Sequence, residues 1–342
     1  MDTYSFDVEH DPAVFVMPHW SMAAGFEKQW LDETLESIRQ QTDPNWHLLI
    51  ADGNSPSQDA RDDLRELAQQ SDGQIEVIFM SHSDGPGHAR NLAIQRAYEK
   101  QYPFIVFLDA DDLAHPRRVE IARKHFVENP NVGLVYSTFH VIDEYSQPVP
   151  MEKLTQSIVE ILESHQDDPP QGKETWIRIA TETGYTNLTS TTSVRTQIAY
   201  QYQFPPEKVS EDYHTWLRYS ASGAAFVYTP LTPTRYRIPQ NTEGSVSRTR
   251  EGGKHGFYTT KCRVDSLGMQ EAIKLALQRG TIQPDRADYL LIKFYLKEAE
   301  TMGREQEMDL AAGCLQNARS LSEEITADLI DELGFAGRPW IG

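Results

Sequence analysis

Phe104-Ile-Val-Phe-Leu-Asp-Ala-Asp-Asp112 runs five apolar residues directly into three carboxylates within four positions. A short apolar run that ends in a polar loop, without polar alternation, reads as a strand buried on both faces. Strands of that kind belong to parallel sheets covered by helices on either side. The same unit recurs on both flanks. Ala13 to Met17 is apolar and leads into Phe26 to Gln40, where Leu31, Leu35 and Ile38 share one helical face. Pro44 then precedes a second run, Trp46 to Ala51, which ends at Asp52-Gly53 before a helix carrying Leu64, Leu67 and Ala68. Ile75 to Met80 reads as a third strand, followed by Asp84-Gly-Pro-Gly87 and a helix from about His88. Beyond the quoted stretch, Pro116 suits a first helical position because it has no N–H to leave unpaired. Gly133 to Ile142 reads as a further strand.

This alternation predicts an α/β fold with a mostly parallel central sheet. Ligands in such sheets sit beyond the carboxyl ends of the strands, which places Asp52, Gly85 to Asn91 and Asp109 to Asp112 where a ligand would be held. Past Ile142 the rhythm changes. Leu154, Ile158, Ile161 and Leu162 suggest a short amphipathic helix before an acidic, Pro- and Gln-containing stretch, which could be an acceptor-side lid or a surface elaboration. After Gly253 the pattern is helical, near 265–279, 284–302, 304–318 and 322–333. The expected division is a ligand-binding half at 1–142, a second half at 143–252 that carries Glu211 and Asp212, and a helical domain at 253–342. Those C-terminal helices also offer a surface for a second copy of the chain.

The 342 residues carry a net charge of −19 without any basic block, which disfavours nucleic acid and anionic lipid as partners. No stretch is apolar enough to be a transmembrane segment, and Met1 to Pro12 lacks the pattern of an export signal, so a cytoplasmic location is expected. Cys262 and Cys314 match neither a zinc nor a disulfide framework and read as reduced core residues. The sequon Asn187-Leu-Thr189 reads as chance.

Five segments carry the chemistry. Three like charges in Asp109-Ala-Asp-Asp112 are hard to keep ionised together without a cation, and oxygen ligands suit Mn²⁺ or Mg²⁺. Helix capping accounts for one or two of them, and an EF-hand fails because Leu113 and Ala114 stand where an oxygen ligand and Gly are required. Asp52-Gly-Asn-Ser55 ends a strand in a carboxylate, and by itself it is ordinary turn chemistry. Gly85-Pro-Gly-His-Ala-Arg-Asn91 allows close backbone approach and presents the Arg90 guanidinium, which either meets phosphate or lies on the surface. Ser210-Glu-Asp212 is both a helix start with acids in its first turn and a candidate catalytic pair. Thr234-Arg-Tyr-Arg237, followed by Gly244-Ser-Val-Ser247, adds cations and hydroxyls to a strand exit.

Taken together, in this order, the segments resemble the family 2 inverting glycosyltransferases, which have a Rossmann-like A-type glycosyltransferase fold. The matching pieces are Pro18-His-Trp20, Gln41-Thr42, Asp52-Gly53, Ala89-Arg-Asn91, Leu108-Asp-Ala-Asp-Asp112 with Pro116, Glu211-Asp212 and Tyr236-Arg237, spanning about Ala13 to Ser247. The resemblance implies a nucleotide-sugar donor, with Asp52 at the uracil of a UDP-sugar and Pro18 and Trp20 flanking the base. It also places Arg90 and Arg237 at the nucleotide, Asp109 near the ribose, and Mn²⁺ or Mg²⁺ on Asp111 with Asp112 nearby. Asp212 corresponds to the catalytic base, with Glu211 beside it, and the acceptor is a carbohydrate or glycolipid hydroxyl. The chain departs from the family pattern at Ala51, which replaces an acid, at the Pro18 to Ser21 strip, and at Ile238-Pro239, where many relatives have a His. Two other readings stand beside it: a sugar nucleotidyltransferase on a related fold, whose glycine-rich signature is absent around Pro18 to Ala24, and a non-catalytic sugar-nucleotide-binding or scaffold subunit.

Overall fold

The computed structural model describes residues 6–22, 26–82, 84–240 and 252–341. Gly244 to Ser247, singled out above, lie outside the described residues. Two compact units emerge, and the chain crosses between them more than once. The first comprises Met1–Lys173, Thr186–Lys208 and Ala224–Glu243; the second comprises Glu174–Tyr185, Val209–Gly223 and Gly244–Gly342.

The first unit is built on a seven-stranded sheet. Its strands are β1 (Ala13–His19), β2 (Trp46–Asp52), β3 (Ile75–Phe79), β4 (Phe104–Phe107), β5 (Val132–Ile142), β6 (Thr192–Arg195) and β7 (Ala225–Arg237), in the order β3-β2-β1-β4-β6-β5-β7. The four N-terminal strands pair in parallel, as their continuous apolar runs predict, and Phe15, Phe104 and Phe107 are fully buried. Helices α1 (Phe26–Arg39), α2 (Gln58–Gln70), α3 (Pro86–Glu99) and α4 (Arg118–Glu128) form the crossovers. Pro86 occupies the first turn of α3, whereas Pro116 falls two residues ahead of α4, whose N-cap is Arg117. Strand β6 runs antiparallel to both β4 and β5, and the sheet returns to parallel pairing between β5 and β7. This is the mostly parallel α/β architecture anticipated from sequence, with one reversed strand near its centre.

The segment after β5 forms α5 (Gln156–Asp167), whose Ile161 is buried as its spacing implies. His165 anchors it: Nε2 donates to the Thr186 carbonyl at 2.7 Å, and the ring packs against Tyr136 and Tyr228. Asn187, the sequon asparagine, is fully buried, which leaves no room for a glycan.

The second unit is helical: α6 (Thr175–Arg178), α8 (Glu211–Ala221), α9 (Lys254–Arg279), α10 (Pro284–Arg304), α11 (Met308–Leu321) and α12 (Glu323–Glu332), while the short α7 (Thr196–Gln201) belongs to the sheet unit. Helices α8 and α9 cross closely at Gly268, where an added Cβ would come within 2.8 Å of the His214 Cα. Cys262 and Cys314 are both free thiols, and Cys314 is buried. Among the described residues no helix is long and apolar enough to cross a membrane.

Candidate active site

In the sheet unit, β1, β2 and β4 deliver their C-terminal residues to one edge, because parallel strands all end on the same side. Strand β4 runs out into Asp109, Ala110, Asp111 and Asp112, and several elements pin this loop. Thr34 Oγ1 on α1 donates to the Ala110 carbonyl at 3.0 Å, and the Asp109 N–H donates to Ser190 Oγ at 3.0 Å. Leu113 forms a two-hydrogen-bond bridge with Arg235 on β7. The Arg237 N–H donates to Asp112 Oδ1 at 2.8 Å, and Arg237 Nε donates to the Asp111 carbonyl at 2.7 Å.

The three carboxylates differ in environment. Asp109 is partly exposed and accepts from Arg90 Nη2 at 2.7 Å, while Arg90 lies over the Phe204 ring. Asp111 is half-buried; burial and the neighbouring Asp109 push its carboxyl up to about 6. Asp112 is buried, and its Oδ2 is sealed from solvent without a hydrogen bond. Burial, with Asp111 and Asp109 beside it, raises the Asp112 carboxyl well above the ordinary carboxylate range. An unmet buried oxygen costs free energy, and adjacent like charges resist common ionisation. A divalent cation relieves both, so the donor set fits Mg²⁺ or Mn²⁺. One oxygen from each of the three aspartates cannot be chosen so that all lie within 4.8 Å of one another. That suits an ion held by one or two carboxylates and completed by phosphate oxygens and water.

Asp52 ends β2 fully buried. Burial alone would raise its carboxyl, but hydrogen bonds from His19 and Ser55 outweigh it and lower the value. His19 Nδ1 lies 2.9 Å from Oδ1, the Ser55 N–H donates to Oδ2 at 3.1 Å, and Ser55 Oγ also bonds the carboxylate. Ser55 Oγ in turn accepts from the Ser21 N–H at 2.9 Å, so the Pro18 to Ser21 strip and the Asp52 to Ser55 turn are one network. Trp20 projects from the strip and is 40% exposed.

Arg237 is turned inward. Its guanidinium is inaccessible and meets Glu33 at 2.9 Å, the Asp143 carbonyl at 3.0 Å and Ser146 Oγ at 2.9 Å besides the Asp111 carbonyl. As placed, it braces the aspartate loop from behind. Two participants were not singled out from the sequence. Ser190 receives the Asp109 N–H on its hydroxyl, and its carbonyl accepts from Arg118 Nη1 at 3.0 Å and Thr234 Oγ1 at 2.9 Å. Arg118 is itself buried, which lowers its guanidinium to about 9. Nothing in Arg117-Arg-Val-Glu120 marks Arg118 as the buried one, and Ser190 lies in a Thr/Ser run that reads as loop.

In the helical unit, α8 begins at Ser210, whose backbone is left-handed at φ 60°. Glu211 is buried and Asp212 half-buried, and Asp212 Oδ1 accepts the Tyr213 N–H at 2.8 Å. Both acids therefore occupy the first turn of a helix, where its dipole favours negative charge.

Residues 22–195 match the model of a known family, described as "Glycosyl transferase family 2". An uncharacterized glycosyltransferase of Methanocaldococcus jannaschii, MJ1057, is 27% identical over 235 residues, covering 68% of this chain and 74% of that protein. The Escherichia coli enzyme WfgD, a UDP-Glc:alpha-D-GlcNAc-diphosphoundecaprenol beta-1,3-glucosyltransferase, is 28% identical over a shorter stretch, 34% of this chain and 43% of its own length. Among solved structures, S. aureus TarS in complex with UDP-GlcNAc superposes with a TM-score of 0.61 at 15% identity, covering 92% of this chain and 83% of that one. The mannosyltransferase PcManGT from Pyrobaculum calidifontis, in complex with GDP-Man and Mn²⁺, gives 0.54 at 18% identity, with 99% and 84% covered. These structural likenesses carry the fold, and the family match carries the membership: this chain is a glycosyltransferase of family 2.

Proposed function

We infer that the chain is an inverting, metal-dependent glycosyltransferase that moves a sugar from a UDP-sugar to a carbohydrate or glycolipid hydroxyl, in the synthesis of a cell-surface polysaccharide or glycoconjugate. The observation that carries this reading is the gathering of three carboxylates at the end of β4, where Asp112 is buried and burial beside Asp109 raises the Asp111 carboxyl to about 6. The uridine preference draws support from the UDP-GlcNAc complex of TarS and from the UDP-Glc donor in the name of WfgD. The diphosphoundecaprenol acceptor of WfgD and the name of the Bacillus subtilis relative TuaG, a putative teichuronic acid biosynthesis glycosyltransferase, support an envelope glycan as the product.

In this reading Asp111 would hold the divalent ion, with Asp112 nearby. The bound ion supplies Lewis-acid stabilisation of the charge that develops on the departing nucleotide diphosphate. Arg90 fixes the Asp109 carboxylate toward the ribose. Trp20 flanks the base, and Asp52, whose oxygens are taken by His19 and Ser55, shapes the base end through those two residues. Asp212 takes the acceptor proton as the hydroxyl attacks the anomeric carbon opposite the leaving group, with Glu211 beside it; general-base assistance of this kind supplies roughly 10²- to 10⁴-fold in rate.

The test is a screen of UDP- and GDP-sugars with Mn²⁺, with Mg²⁺ and with EDTA, reading release of nucleoside diphosphate. UDP release from one donor, abolished by EDTA and restored by Mn²⁺, is expected, and NMR of the transferred anomeric centre should show inversion. Pyrophosphate release from an NTP and a sugar 1-phosphate would instead make the chain a nucleotidyltransferase.

A further inference from the structure

We propose that His82, Asp84 and His88 form a binding site for a borderline transition-metal ion, Zn²⁺ being the natural occupant, that clamps the β3–α3 loop onto the first turn of α3. His82 Nε2 lies 2.9 Å from Asp84 Oδ2, and His88 Nδ1 lies 3.1 Å from the same oxygen. One ligand atom from each of the three residues falls within 4.8 Å of the others, the one such group among the described residues.

Three features make this more than a surface ion pair. First, His88 Nδ1 is sealed from solvent and makes no hydrogen bond, despite its closeness to the carboxylate. A lone pair so placed has no water to satisfy it, and an ion between the two atoms would do so. Second, the ring nitrogen of His82 facing away from the site is already held. Its Nδ1 lies 3.0 Å from Ser81 Oγ, the outer hydrogen bond that orients metal-binding imidazoles. Third, the backbone is bent for the purpose. Gly85 sits at φ 97°, a left-handed conformation that costs a glycine little, and turns the chain so that Asp84 meets the side chain four residues on.

The donor set decides the ligand. Two imidazole nitrogens and one carboxylate select zinc, copper or nickel, whereas all-oxygen sets suit magnesium and calcium. Ligands about 2.0–2.1 Å from a tetrahedral ion stand roughly 3.3 Å apart, so the contacts at 2.9 and 3.1 Å need only slight widening. Three protein ligands leave one position for water. This chemistry is the opposite of the aspartate loop, and the inference does not depend on the function proposed above.

The experiment uses full-length, tag-free protein stripped of metal and then freed of chelator. Zn²⁺ is titrated in competition with a chromophoric chelator, and Cu²⁺ is bound for electron paramagnetic resonance. Wild type should take up Zn²⁺ at one site that Asp111→Asn leaves intact, and its Cu²⁺ spectrum should show coupling to two imidazole nitrogens. His82→Ala should weaken Zn²⁺ at least tenfold and reduce the coupling to one nitrogen. His82 is 63% exposed at its side chain, so this variant should fold, and His88→Gln gives an independent second removal. Failure of the wild type to bind Zn²⁺ would overturn the proposal. So would unchanged Zn²⁺ affinity in the His82→Ala, His88→Gln double variant.

Discussion

The two units handle buried acids in opposite ways. In the helical unit, Asp265 and Glu298 are buried, and the chain supplies its own cation: Lys261 Nζ contacts Asp265 and lies 3.5 Å from Glu298. Burial alone would lower the Lys261 ammonium, but these two acids outweigh it and hold it charged. Ser210, at the start of α8, also bonds Asp265, so the lysine indirectly fixes the turn that carries Glu211 and Asp212. In the sheet unit, Asp111 and Asp112 crowd together with no lysine, and one carboxylate oxygen is left sealed and unmet. Burial still raises the Asp265 carboxyl to about 7, but each acid of the helical cluster has the Lys261 ammonium beside it. The aspartate loop has arginines at Asp109 and behind Asp111 instead, and among the described residues no ammonium meets Asp112 Oδ2.

Four measurements break or sharpen that contrast. The largest effect is expected at Asp212→Asn, which should cut transfer by roughly 10²- to 10⁴-fold while leaving UDP-sugar affinity and the urea midpoint near wild type. Near-wild-type turnover would remove Asp212 from the chemistry. Next, Asp111→Asn should lower Mn²⁺-supported turnover by about 100-fold and abolish the gain in nucleotide affinity that Mn²⁺ gives in calorimetry. Its stability at neutral pH should be unchanged or higher, since a carboxylate disfavoured by burial has been removed.

Lys261→Met should do the reverse. Stranding two buried acids should lower the unfolding free energy by about 3 kcal/mol, read from urea denaturation at pH 7. A wild-type midpoint would show that Lys261 is dispensable and would erase the distinction between the units. The smallest effect is a pH dependence. Asp111 is raised from 3.8 to about 6, so the folded, metal-free protein keeps a proton that the unfolded chain has already released. The contribution of this group to stability therefore falls as pH rises through that window. Mn²⁺ must displace the proton, so its affinity should rise by about tenfold per pH unit below about 6. A flat profile from pH 5 to 7 would mean that Asp111 is already ionised without the ion.

Most of this architecture could be read from the sequence because apolar runs and helix periods are local. The strands around Phe15, Leu49 and Val106 stand where their composition places them. Strand β6 was not legible, since Thr192-Ser-Val-Arg195 has no apolar run and owes its burial to pairing with both neighbours. The aspartate loop announced itself by its spacing. Its supports did not: Ser190 and Arg118 act through partners far away in sequence, and no local pattern distinguishes a serine that receives a backbone N–H from one in a turn. Arg237 shows the same limit from the other side. A cation at a strand exit reads as a ligand for phosphate, yet here its donors are taken by Glu33, Asp143 and Ser146. The metal-ligand geometry of His82, Asp84 and His88 likewise depends on the turn at Gly85, which spacing alone does not specify.

The missing Cβ of Gly268 has a bearing on how such a chain can diversify. Helix α9 can seat His214 only while that position stays bare, so the C-terminal helices are fitted to a segment encoded well before them. Exchanging those helices between relatives as a cassette would carry the groove without the ridge, and a graft would have to bring Val209–Gly223 along with it.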